Sequence, residues 1–173
     1  MNTELDSLGL LAGTLGPGSR VFHTGIVVPD LETARHDLGR RLEVPFTDIA
    51  SGPLDCQTPD GPLSVDLRFC YSTRGAHVEL IQAVPGTVWD LARPPGGLHL
   101  GVWSDDPTAE VDDLDAAGWT REVWATDDAG DMLFSYHRTP YRLLLEVVNS
   151  NLRGLYPAWF RTVDSSVGPR PVA

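Results

Sequence analysis

The chain is short of cations. Lys and Arg together number 13 of 173 residues against 24 Asp and Glu, giving a formal charge of −11, and the basic side chains are scattered along the sequence. Binding a phosphate backbone needs Lys and Arg gathered on one surface, so nucleic acid is excluded as a partner. The same shortage disfavours polyanionic cofactors. Cysteine is scarcer still, and two residues, Cys56 and Cys70, are too few for a disulfide framework. With Asp60-Gly61 as the tip of a hairpin, Cys56 falls opposite about Val65, so the thiols do not meet and both read as reduced, packed side chains. No apolar run reaches the ~18 to 20 residues that span a bilayer. Met1 to Arg20 shows no basic start followed by an apolar core of the signal type. A cytoplasmic protein without membrane contact is the expectation.

What is present is an ordinary globular composition, 42% hydrophobic and 21% charged, in a length suited to one domain or two small units sharing a core. The clearest pattern is a repeat. Val21 to Pro29 (Val-Phe-His-Thr-Gly-Ile-Val-Val-Pro) returns as Gly97 to Ser104 (Gly-Leu-His-Leu-Gly-Val-Trp-Ser), each a short apolar strand headed by His-x-Gly. An Asp/Pro corner and a stretch of helical period follow each copy. A second echo closes each unit: Ala76-His-Val-Glu79-Leu-Ile-Gln in the first, Leu143-Leu-Leu-Glu146-Val-Val in the second.

Between these landmarks the order is β-α-β-β-β, twice. Leu31, Ala34, Leu38 and Leu42 recur at helical spacing behind Asp30 as N-cap, and Pro45 ends the helix. Strands follow at 46–57, 63–72 and 76–84, with turns at Pro59-Asp-Gly-Pro62 and Arg74-Gly75. The second unit has a strand at 97–104, a helix from Pro107 to Ala117 stopped by Gly118, and strands at 120–125, 132–138 and 142–148. The expected organisation is a loose arm over 1–20, a first module over 21–86, a Pro/Gly-rich linker over 87–96, a second module over 97–150 and a tail over 151–173. A helical turn is expected over Trp89–Arg93. In the tail, Leu152, Leu155, Trp159 and Phe160 suggest a short amphipathic helix, docked as packing.

Each unit thus opens on a strand carrying His and closes on a strand carrying Glu. A lone histidine on an apolar strand is more often a satisfied core side chain than a ligand. Here both residue types recur at matching positions, and Glu146, flanked by Leu144, Leu145, Val147 and Val148, would cost several kcal/mol to bury without a partner. His23, Glu79, His99 and Glu146 make a mixed N/O donor set suited to one divalent ion, Zn, Ni, Co, Mn or Fe, with positions left for substrate.

On these residues the chain resembles the vicinal oxygen chelate superfamily, which includes glyoxalase I, methylmalonyl-CoA epimerase, extradiol dioxygenases and bleomycin resistance proteins. The resemblance covers residues 21 to 150. It implies an α+β fold in which two βαβββ modules form one open, curved mixed-sheet barrel around a metal site, with His23, Glu79, His99 and Glu146 as ligands. Bacterial glyoxalase I has a similar His/Glu/His/Glu set, whereas extradiol dioxygenases use three ligands and the epimerase usually has Gln where this chain has Glu79. It also suits a homodimer.

The chemistry implied is that of a divalent-metal-dependent isomerase, epimerase or lyase, working through an enolate on a small carbonyl compound. Alternatives are a metal-dependent dioxygenase and a non-catalytic small-molecule binding or resistance protein. Glu146 is the expected ligand and base, with His77 or Asp48 as a second acid/base. Trp89, Trp103, Trp124, Phe134 and Tyr136 are candidates for an apolar substrate pocket, and few cations are at hand for a CoA thioester's phosphates.

Overall fold

Alternating apolar and polar residues form strands, and stretches of period 3.6 form helices, in the computed structural model, which describes residues 20–73 and 77–155. Strand β1 (Val21–Val28) leads into helix α1 (Leu31–Leu42), then β2 (Ala50–Thr58), β3 (Gly61–Tyr71) and β4 (Val78–Gln82). The second half repeats this as β5 (His99–Ser104), α2 (Pro107–Ala116), β6 (Thr120–Thr126), β7 (Met132–Arg138) and β8 (Leu144–Asn149). A short 3-10 helix, Ser150–Leu155, follows. The expected N-terminal arm, the Arg74-Gly75 turn, and Trp159 and Phe160 lie outside the described residues.

Both helices start at an aspartate. The Asp30 carboxylate accepts from the Thr33 amide at 2.7 Å, and Asp106 accepts from Ala109 at 3.1 Å, each satisfying a backbone N–H that the first helical turn cannot. Helix α1 ends on Glu43 in the left-handed region (φ 53°), ahead of Pro45. Leu42, expected on the packed face, is instead exposed, because the chain turns away at this last helical position.

The sheet runs β1-β4-β3-β2-β6-β7-β8-β5 and closes into a barrel. This is the α+β barrel of two βαβββ units that the resemblance implies, with its sheet closed where an open one was expected. Parallel pairs join β1 to β4 and β5 to β8, and β1 pairs antiparallel with β5. The first and last strands of the two units therefore lie side by side as β4-β1-β5-β8. On the far side the ring closes through one residue pair between β2 and β6, Gln57↔Trp124.

The interior holds Val27, Ile81, Val123, Ala125, Tyr136 and Leu144, joined by Val88 and Trp89 from the segment between units. That segment forms successive tight turns; there is no helical turn over Trp89–Arg93. It is tied to the second unit by buried Glu122, which accepts from Arg93 and Arg138 at 2.6 Å each. Outside the barrel, Leu31 of α1 packs on Val28, Phe46, Cys70 and Leu80, and Val111 of α2 packs on Val102, Met132 and Val147.

The β2–β3 turn is Pro59-Asp60, so Cys56 lies opposite Leu63 rather than Val65. Cys56 faces the barrel interior and Cys70 the layer beneath α1, and both thiols are free and buried. Among the described residues, no helix is long and apolar enough to cross a membrane.

Candidate metal centre

The four central strands bring the four repeated residues together in two adjacent rows. In one, Glu79 on β4, Gly25 on β1 and His99 on β5 stand in register; in the other, His23 on β1, Gly101 on β5 and Glu146 on β8 do. All six point inward because strand residues two apart share a face. Each row has glycine in the middle, and an imidazole lies over that glycine. A Cβ on Gly25 would sit 1.7 Å from His99 Cε1, and one on Gly101 would sit 2.1 Å from His23 Cε1. The His-x-Gly motif is thus reciprocal: each glycine makes room for the other unit's imidazole.

The donor atoms converge tightly. One atom from each of His23, Glu79, His99 and Glu146 lies within 4.8 Å of every other. His23 Nε2 is 3.0 Å from His99 Nε2, 3.3 Å from Glu79 Oε2 and 3.0 Å from Glu146 Oε2. His99 Nε2 is 3.1 Å from Glu79 Oε2 and 3.6 Å from Glu146 Oε2. Ligands at about 2.0–2.2 Å from one ion stand roughly 3.0–3.6 Å apart, so these separations fit a shared cation.

Protonation fits as well. His99 Nδ1 donates to the Gly97 carbonyl at 2.9 Å, which leaves Nε2 bare and aimed at the centre when the ring is neutral. Glu146 Oε2 is buried and makes no well-directed hydrogen bond. Burial alone lowers the pKa of His23, but Glu79 and Glu146 outweigh it and raise the value to about 9. Burial likewise opposes ionisation of Glu79, yet His23 and His99 draw its pKa well below the usual carboxylate range. In the protein without metal, His23 holds its proton against the neighbouring carboxylates, and a divalent ion would replace it. The residues present therefore could hold a divalent metal.

A cavity of about 210 Å³ opens beside the cluster, and both carboxylates reach its surface. Its walls are Leu54 from β2, Leu67, Phe69 and Tyr71 from β3, and Phe134 and Tyr136 from β7. Trp89 and the tail residues Leu152 and Leu155 complete it. Tyr136 stands with its hydroxyl 3.5 Å from His99 Nε2. Burial and the two carboxylates push its pKa well above the usual value, so it keeps its proton.

Four other sequence candidates lie elsewhere. Asp48 projects to solvent, its side chain 63% exposed, and pairs with Arg35 at 3.5 Å. His77, just before β4, is half-buried beside His23, bonds the Phe22 backbone, and belongs to neither the donor cluster nor the cavity wall. Burial, followed by the charge on His23, lowers its pKa. Trp103 shares the face of His99, but four residues along a strand is about 13 Å. It stacks on Phe22 with ring centroids 3.8 Å apart, and Arg153 lies over it. Trp124 is on the outer face of β6, since Val123 and Ala125 take the inner one, and it packs beneath α2 with Arg121 at 5.3 Å. Of the expected pocket residues, Trp89, Phe134 and Tyr136 do line the cavity. The wall from β2 and β3 was missed, although the alternation of Val65, Leu67 and Phe69 marks an inward face.

The chain belongs to the glyoxalase/bleomycin resistance protein/dioxygenase superfamily, whose family model matches residues 22–136. Among solved structures, methylmalonyl-CoA epimerase from Mycobacterium tuberculosis is similar at 18% identity, over 82% of this chain and 97% of its own, with a TM-score of 0.45. The trypanothione-dependent glyoxalase I of Leishmania major is similar at 15% identity, over 80% and 92%, with a TM-score of 0.30. A comparison with curated proteins gives no match.

Proposed function

We propose that the chain is a divalent-metal-dependent isomerase, epimerase or lyase that works through an enolate on a small carbonyl compound. One observation carries this reading: two imidazole nitrogens and two carboxylate oxygens converge within 4.8 Å at the wall of an apolar cavity. His23, Glu79, His99 and Glu146 would hold the ion. Bound there, it would polarise a carbonyl and accommodate the negative charge that develops on oxygen.

The protein's own groups supply the proton chemistry. Glu146 removes a proton from the carbon next to the carbonyl. Its Oε2 makes no well-directed hydrogen bond, and its side chain is the more open of the two carboxylates, 12% against 7% exposed. Its carboxylate reaches the cavity surface, where the carbon next to a bound carbonyl would lie. Glu79 stays anchored between the imidazoles. Tyr136, which keeps its proton, can donate to a substrate oxygen. Return of a proton to the opposite face of the carbon epimerises it, return to a different carbon isomerises the compound, and loss of a β-substituent makes the reaction a lyase reaction.

The test is solvent exchange. Metal-loaded protein in D₂O, given a panel of small hydroxy ketones and β-keto compounds, should place deuterium on the carbon next to the carbonyl. Glu146→Gln should slow this by about 10² to 10⁴ while keeping the fold. Full exchange in that variant removes Glu146 as the base. A second reading, sequestration of a small apolar compound, is favoured by the same apolar wall; it is supported if a compound is retained tightly and returned unchanged without exchange. Turnover that requires molecular oxygen supports dioxygenation.

A further inference from the structure

The wall of the cavity limits what the site can take. Resting on the metal-site reading above, we infer that the substrate is a compact carbonyl compound of single-ring size whose body, away from the chelating oxygens, carries no charge.

Two observations point there. The first is size. At about 210 Å³ the cavity falls below the ~300–1,000 Å³ of pockets for drug-sized ligands, yet exceeds the ~150 Å³ known to accept benzene. One substituted ring fits. The second is charge. Among the described residues, the carboxyl groups on the wall are Glu79 and Glu146, and no arginine lines it. The chain contains no lysine at all. Several arginines are paired with carboxylates away from the cavity, Arg20 with Glu110, Arg35 with Asp48, Arg68 with Glu32, Arg93 and Arg138 with Glu122, and Arg121 with Asp115, while Arg153, between the lining residues Leu152 and Leu155, lies over Trp103. Apart from Tyr71, Trp89 and Tyr136, the wall beyond the carboxylates is apolar (Leu54, Leu67, Phe69, Phe134, Leu152, Leu155), so a carboxylate or phosphate on the far side of a substrate would lose its water without meeting a cation and would bind poorly. Charged carrier groups are therefore selected against, and flat apolar rings are favoured by the edge-on aromatic pairs Phe69–Tyr71 and Phe134–Tyr136.

The experiment uses two chelators with the same hydroxy ketone oxygen pair on one pyranone ring: 5-hydroxy-2-methyl-4-pyranone and its 2-carboxylate analogue. Binding to the metal-loaded full chain is measured by calorimetry and normalised to each compound's affinity for the free ion. The methyl compound should bind at least about tenfold tighter, and 3-hydroxyflavone, with the same oxygen pair on a larger body, should bind at least about tenfold weaker than the methyl compound. Leu155→Arg, at an exposed lining position, should narrow the methyl-to-carboxylate ratio about tenfold without changing metal uptake, and Leu54→Arg, on β2, should do the same. Metal uptake with equal or tighter binding of the carboxylate, with no binding of either pyranone, or with a ratio untouched by both arginines, overturns this inference and leaves the metal centre standing. Failure to take up metal removes both.

Discussion

Gly25 and Gly101 are the residues on which the site's geometry depends. Methyl groups at these positions would overlap the facing imidazoles, which would have to leave their positions in a closely packed centre. Gly25→Ala and Gly101→Ala should each cost about 1–3 kcal/mol of stability, read from urea unfolding, and should also abolish tight metal uptake. Wild-type metal affinity in either variant would show that the rings are not held as described. These glycines illustrate how much was legible at this scale. His-x-Gly could be read as an uncrowded ligand position, but only the β1–β5 register reveals that each glycine serves the other unit's histidine.

His23 gives a pH signature to the metal-free protein. Its folded pKa is about 9 against an ordinary 6.5, with burial opposing the shift and the two carboxylates driving it. A raised value means the folded state holds the proton more tightly, so the stabilisation is complete below pH 6.5 and is lost as pH rises through about 9. Chelator-treated wild type should therefore lose melting temperature across that window relative to His23→Gln. A constant difference between the two proteins would contradict the assignment. Because a bound ion would displace the same proton, apparent metal affinity should rise with pH over the same interval.

At the scale of elements, local signals were clear. Asp30 behind a helical apolar stripe, and Asp106-Pro107 ahead of another, place both helix starts. Asp30→Ala and Asp106→Ala should each lower stability by about 1 kcal/mol, seen as a shift in urea midpoint with unchanged slope. A change in slope would mean that the cap shapes more than its own helix. The aromatic residues were harder to place. Trp103 and Phe134 are both aromatic strand residues, but only the length along β5 separates Trp103 from the cavity, and only the inward parity of Val123 and Ala125 turns Trp124 outward. Asp48 illustrates a further limit, since its region of the chain resembles a strand but its carboxylate finds Arg35 at the surface.

For the whole molecule, duplication made the β4-β1-β5-β8 core of the barrel predictable, because the repeated His and Glu strands must lie together if their side chains are to meet. Closure on the other side had no such signal. The seam between β2 and β6 rests on the single pair Gln57↔Trp124, whereas β5 and β8 are in register over six residues. Amide hydrogen exchange should accordingly be fastest among the strands at this seam and slowest in β1 and β5. Equal protection around the ring would mean that side-chain packing, rather than strand pairing, closes the barrel.

The central claim is that four side chains from opposite ends of two units share one cation. Equilibrium dialysis of the chain against Zn, Ni, Co, Mn or Fe, with metal content measured per chain, tests it most directly. About one tightly held ion per chain, falling by at least about tenfold in affinity on His99→Gln or Glu79→Gln, is the predicted result. Less than about one ion per two chains with every metal, or uptake indifferent to both substitutions, would contradict it.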